Sequence, residues 1–188
     1  MRCFVALPMP DPAVKGITTL QGHLRAGRAV PAENLHLTLA FLGDVRPEAL
    51  EEMHGALEMV AFRPIELRLS GLDAVGGARP NVLFARAQGG EGLGDLHRAV
   101  ARAARGAGIV LARERFMPHV TIARFPRGMV EAEAAKLGAF LQAWGDWALA
   151  PVLVPGFALY RSDLRAEGAR YEVLAEYPGP LAGRGWSA

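Results

Sequence analysis

Asn34-Leu35-His36-Leu37-Thr38-Leu39-Ala40-Phe41-Leu42-Gly43 decides how this chain is read. Leu35, Leu37, Leu39 and Phe41 alternate with His36, Thr38 and Ala40, the period of a half-buried strand. Successive strand side chains point to opposite faces, so His36 and Thr38 share one face while the aliphatic residues go to the other. The pattern recurs at Pro118-His119-Val120-Thr121-Ile122-Ala123-Arg124, where His119 and Thr121 share a face opposite Val120 and Ile122. The chain has five histidines and four threonines, Thr18, Thr19, Thr38 and Thr121. Two His-x-Thr matches by chance would be roughly a 0.5% event, in the range where a motif merits a mechanism. A lone strand histidine is most simply a core residue bonded to its neighbours, and repetition is what weakens that reading here.

Two such strands brought together would line a polar cleft between similar halves of the molecule. Imidazole has an unperturbed pKa near 6.5, so one ring can act as base while the other, protonated, acts as acid. Threonine hydroxyls can donate to phosphate oxygens where charge develops. The chemistry such a face suits is phosphoryl transfer at a diester.

The rest of the chain surrounds these strands with alternating elements. Residues 2–7 form an apolar strand, and Asp11-Pro12 reads as a helix cap with proline at the first helical position, opening a helix to about residue 26. Pro47 opens a second helix to about Val60, with Leu50, Met53, Leu57 and Val60 inward. Residues 65–72 and 81–87 are extended and joined by Gly76-Gly77-Ala78-Arg79-Pro80. Helices follow at about 93–105 and 130–144, on either side of the strand at 118–124, and strands near 152–161 and 170–176 close the fold. From Pro178 onward the chain reads as a loosely held tail. Tight connections between strand pairs leave no room for helical crossovers, which gives an α+β fold class with largely antiparallel sheets.

Composition excludes several functions. At 188 residues the chain fits a single domain, 1–188, or two intimately packed lobes. No apolar run approaches the ~18 residues that would span a bilayer. Prolines 8, 10 and 12 replace the core of a secretory signal, so the expected location is cytoplasmic, with no membrane partner. Cys3 is the only cysteine, which rules out an internal disulfide and a cysteine metal site, and it suits an N-terminal strand as a small apolar residue. Net charge is only +2, yet the bases are almost all arginine, and seven lie between Arg98 and Arg127 with Glu114 the one acid among them. Such a segment suits a phosphate-bearing partner. Within it Arg98, Arg102 and Arg105 form a stripe at helical spacing, by default a solvated face. Gly89-Gly90-Glu91-Gly92-Leu93-Gly94 lacks both the lysine of a P-loop and the spacing of a dinucleotide fingerprint, and reads as a turn before a helix. His23, His54 and His97 have no threonine partner and read as surface or boundary residues.

The sequence resembles the 2H phosphoesterase superfamily, and within it the RNA 2′,3′-cyclic phosphodiesterases once called 2′-5′ RNA ligases. Arg2-Cys3-Phe4-Val5-Ala6-Leu7-Pro8, both His-x-Thr segments, Phe157-Ala158-Leu159-Tyr160-Arg161-Ser162 and Gly168-Ala169-Arg170-Tyr171 carry the likeness. The resemblance implies a bilobal fold with two pseudo-symmetric lobes around a central groove and helices outside. It implies His36 as proton donor and His119 as proton acceptor, roles the residues alone leave interchangeable. Thr38 and Thr121 would hold the phosphate, with no metal and no cofactor. Two supporting residues stay open. Arg124 points away from the groove under strict alternation unless the strand end re-aims it, and it makes either a phosphate contact or a surface ion pair. Phe4 either stacks on the terminal base or belongs to the core. The implied partner is RNA or a nucleotide with a 2′,3′-cyclic phosphate end, tRNA fragments and ATP being further occupants of the groove, and the protein acts as a monomer. Alternatives are reversible 2′-5′ ligation at the same site and a silent nucleotide- or RNA-binding module, against which the intact pair of histidines argues.

Overall fold

The computed structural model describes residues 1–77, 80–113, 115–125, 129–165 and 168–179. Arg79, Glu114 and Arg127 lie outside them, as does the tail expected from Pro178 onward, apart from Pro178, which ends a strand, and Gly179, whose N–H bonds the Pro155 carbonyl at 2.8 Å. Strands are β1 (Arg2–Pro8), β2 (Arg28–Ala29), β3 (His36–Asp44), β4 (Ile65–Val75), β5 (Val82–Gln88), β6 (His119–Arg124), β7 (Val152–Val154), β8 (Gly156–Arg165) and β9 (Gly168–Pro178). Helices are α1 (Asp11–Gln21), α2 (Pro47–Glu58), α3 (Gly90–Gly106) and α4 (Glu131–Trp144). None among the described residues is long and apolar enough to cross a membrane.

Among the described residues the strands join in one nine-stranded sheet, ordered β7-β4-β5-β6-β3-β1-β8-β9, with β2 alongside β6. Every pairing is antiparallel, as the short connections require. The middle of the order is a seam. There β3 meets β6 through a single ladder pair, Leu37 opposite Val120, both fully buried. To one side of the seam run β3, β1, β8 and β9; to the other run β6, β5, β4 and β7. This is the bilobal α+β arrangement the sequence implied.

One apolar core runs beneath both halves, containing Leu7, Ile17, Leu37, Met53, Leu67, Leu83, Val120 and Phe157 among others. Fully burying a side chain of that size contributes roughly 1.5–3 kcal/mol. A smaller cluster of Phe4, Ala6, Ala158 and Tyr160, with Tyr171 against it, occupies the other face of β1 and β8. Helices lie on the core side, but not always against the strands that precede them. The helix α1 follows β1 yet packs on β6, and α3 follows β5 yet packs on β3.

Several boundaries differ from the sequence reading for physical reasons. The cap of α1 is Pro10, one residue before Asp11, whose carboxylate instead sits in the first turn and suits the helix dipole. That helix ends at Gln21 rather than near 26, where the N–H groups of His23 and Leu24 leave the helical pattern and bond the carbonyls three residues back, Leu20 and Gln21. The glycine run at 89–94 is mostly the first turn of α3 rather than a turn before it. A β-carbon at Gly89 would meet Leu93 Cβ at 2.8 Å and Ile65 Cγ2 at 2.9 Å, so this chain entry needs glycine. The single strand expected over 152–161 divides at Pro155, which has no N–H for a ladder. On one side β7 pairs with β4, and on the other β8 pairs with β1 and β9, so the chain crosses between halves at that proline.

Candidate active site

The Leu37–Val120 pair sets the geometry of everything above it. In antiparallel register it places His36 across from Thr121 and Thr38 across from His119, all four half-buried on the face opposite the core. Each histidine is fixed in the same way. His36 Nδ1–H donates to the Asn34 carbonyl at 2.7 Å, and His119 Nδ1–H donates to the Met117 carbonyl at 2.7 Å. Because a carbonyl only accepts, both rings hold their proton on Nδ1 and leave Nε2 as the atom that can take or give one.

Both strands also break their ladders at the same point. Against β1 the register passes from Ala6↔Thr38 to Val5↔Ala40, skipping Leu39. Against β5 it passes from Phe84↔Thr121 to Leu83↔Ala123, skipping Ile122. A bulge adds one residue and reverses the alternation beyond it. Leu39 and Ala40 are both buried, as are Ile122 and Ala123, and the next residue turns to the face of the sheet that bears the histidines and threonines. That residue is Phe41 in one half and Arg124 in the other.

Arg124 is thereby re-aimed, and it lines a groove of about 910 Å³ together with Arg28, His36, Thr121, Arg170 and Tyr171. Thr38 and His119 are not in the wall of that groove; the strand register puts them at its side. Phe41, assigned by simple alternation to the buried face, is 67% exposed, with its ring 6.3 Å from Phe4. Phe4 is only 3% exposed. Its ring stacks on Tyr160 at 5.0 Å, meets Tyr171 edge-on and lies 4.9 Å from His36, so it is the floor under that histidine and has no free face for a base. On the other side Phe84 lies 5.0 Å from the His119 ring.

Burial among these rings pushes the His36 pKa down to about 4, with Arg124 and His119 adding to the effect and the Asn34 bond opposing it. Burial also pushes the Tyr160 hydroxyl up to about 12, so it stays protonated. The remaining singled-out residues lie elsewhere. Arg98, Arg102 and Arg105 are exposed on α3, with Arg98 paired to Asp95. His23 stacks on Trp144, and His54 bonds the Tyr177 hydroxyl at 2.8 Å. Cys3 is buried, with its thiol pKa raised by that burial. Among the described residues no group of three or more His, Cys, Asp or Glu is arranged to hold a metal.

Two half-sheets meeting at paired His-x-Thr strands define a two-histidine phosphoesterase architecture. The chain belongs to the 2′-5′ RNA ligase superfamily, whose family model matches residues 9–164. It is 31% identical over 159 residues to an RNA 2′,3′-cyclic phosphodiesterase of Aeropyrum pernix, covering 84% of this chain and 89% of the relative. It is 30% identical over 182 residues to a protein of that name from Geobacillus stearothermophilus, 93% of this chain but only 56% of the relative's length. The crystal structure of E. coli LigT complexed with 3′-AMP superposes with a TM-score of 0.68 at 25% identity, covering 95% of this chain and 97% of LigT. LigT has also been solved with ATP.

Proposed function

We propose that this protein hydrolyses 2′,3′-cyclic phosphate ends of RNA to 2′-phosphomonoesters, without a metal, using His36 as acid and His119 as base. The observation that carries the reading is the matched pair of rings, each held by an Nδ1–H bond to a carbonyl two residues back. His119 Nε2 takes a proton from water, whose oxygen attacks phosphorus in line with the 3′ oxygen. The P–O3′ bond breaks, and His36 gives its Nε2 proton to the departing O3′. Thr38, Thr121 and Arg124 hold the non-bridging oxygens as charge builds there.

In the free site His36 is neutral above about pH 4. It gains its proton when the anionic phosphate arrives, since a neighbouring negative charge favours the charged imidazole. Substrate binding thus loads the acid. Three arginines, Arg28, Arg124 and Arg170, face the groove with Glu33 the one acid in its described wall, which suits an RNA end. Phe41 supplies the free aromatic face for the terminal base that Phe4 cannot. The relatives named for RNA 2′,3′-cyclic phosphodiesterase activity, and the 3′-AMP and ATP complexes of LigT, support the same occupants.

Incubation with a 2′,3′-cyclic nucleotide in EDTA, followed by phosphorus NMR, tests this. The cyclic resonance should give way to a 2′-phosphate, and His36→Ala and His119→Ala should each cut turnover at least ~10²-fold. Persistence of the cyclic resonance refutes hydrolysis, and a 3′-phosphate product refutes the leaving-group assignment.

A further inference from the structure

A bulge leaves its extra residue outside the ladder, and a buried carbonyl without a partner is costly. Leu39 is 2% exposed and Ile122 fully buried, so each bulge needs a donor from elsewhere. At Ile122 the carbonyl accepts from Val30 N–H at 2.8 Å and from Gln21 Nε2 at 2.9 Å. At Leu39 it accepts from His97 Nδ1–H at 2.9 Å. Gln21 is the last residue of α1, and His97 lies in α3, the two helices that pack across the seam. Each motif strand is therefore clamped, one residue after its threonine, by a side chain from a helix that belongs in sequence to the other half.

His97 does more than satisfy a carbonyl. Its ring stacks flat on Phe116, centroids 3.9 Å apart and planes within 3°. Phe116 stands three residues before His119, so one imidazole touches the strand of the first motif and the approach to the second. Gln21 likewise spans two segments, since its amide also donates to the Val30 carbonyl at 2.9 Å. The boundary reading of His97 accounts for neither of its contacts.

We propose that His97 and Gln21 are positioning residues for the reaction, holding the two His-x-Thr strands at the separation acid–base catalysis needs. This rests on the hydrolase reading above. Misplacement of a reacting group by about 1 Å can cost on the order of 10²-fold in rate, so the effect falls on kcat and leaves ground-state binding largely intact.

The test uses the full chain with adenosine 2′,3′-cyclic phosphate as probe. His97→Phe keeps a ring over Phe116 and removes the donor; His97→Asn keeps a donor near the Nδ1 position and gives up the stack. For folded His97→Phe, kcat should fall about tenfold or more with KM changing less than about threefold, and His97→Asn should recover most of the loss. The imidazole NMR signals of His36 and His119 should move in His97→Phe. A folded His97→Phe with kcat within about threefold of the native protein overturns the proposal, as does His97→Asn no better than His97→Phe. Should His97→Phe not fold, Gln21→Met decides on the same thresholds at the other motif. Absence of native turnover would instead refute the hydrolase reading, and the NMR signals alone would then judge the positioning, unmoved signals overturning it.

Discussion

Acid should weaken this protein through one imidazole. His36 has a pKa of about 4 in the fold against 6.5 for the unperturbed ring, so the folded state resists a proton that the unfolded chain accepts. The sign follows from that order: stability is complete above about pH 6.5 and is lost as pH falls toward 4. At about 1.4 kcal/mol per pH unit of difference, the loss at pH 4 reaches up to about 3 kcal/mol, a large part of a small domain's stability. Carboxylates titrate in the lower part of the same range, so the native protein must be compared with His36→Gln, which cannot take up the proton. Urea unfolding at several pH values between 7.5 and 4 should give a native curve steeper than that of the variant by that amount. Parallel curves would show that His36 is not held neutral by its surroundings, and the account of substrate-loaded acid catalysis would go with it.

Other substitutions separate the roles assigned above. Arg124→Gln should raise the His36 pKa, followed by NMR titration, and raise KM for a cyclic nucleotide roughly tenfold through loss of a charge-assisted bond; an unchanged KM would make Arg124 a bystander. Phe41→Ala should raise KM roughly tenfold, as loss of a stacked base does, with little change in melting temperature. Phe4→Ala should instead cost about 3 kcal/mol or more in urea unfolding, since its ring is enclosed. Leu37→Ala, at the seam, should destabilise by about 2–5 kcal/mol, and a smaller loss would mean the two halves do not depend on that contact.

The motif strands were legible in the sequence because a two-residue period states which side chains share a face. Where that period fails, simple alternation misplaces Phe41, while Arg124 reaches the groove through the re-aimed strand end that the sequence left open. Phe41 and Arg124 both sit beyond a bulge, and a bulge is a property of two strands: Leu39 and Ile122 look like ordinary alternating residues until β1 and β5 are laid beside them. The sequence leaves Phe4 open between base platform and core because its burial depends on Tyr160 and Tyr171, more than 150 residues away along the chain. Pro155 divides a strand and Gly89 admits α3, and both residue types stand in the sequence although the packing that demands them does not. No local pattern could have connected His97 or Gln21 to the motifs, since each bonds a carbonyl in a strand reached only through tertiary packing. The two-residue β2 is likewise too short to leave a period.

The exchange of helices across the seam makes the halves mutually dependent. A fragment ending in the loop after Val75 would carry β3 without α3 and would leave α1 without the strand it covers; the remaining fragment would lack the mirror-image pieces. Neither could shield its own sheet, but together they hold all that the other misses. A chain cut in that loop should therefore behave as a split protein, its pieces inert alone and assembling on mixing.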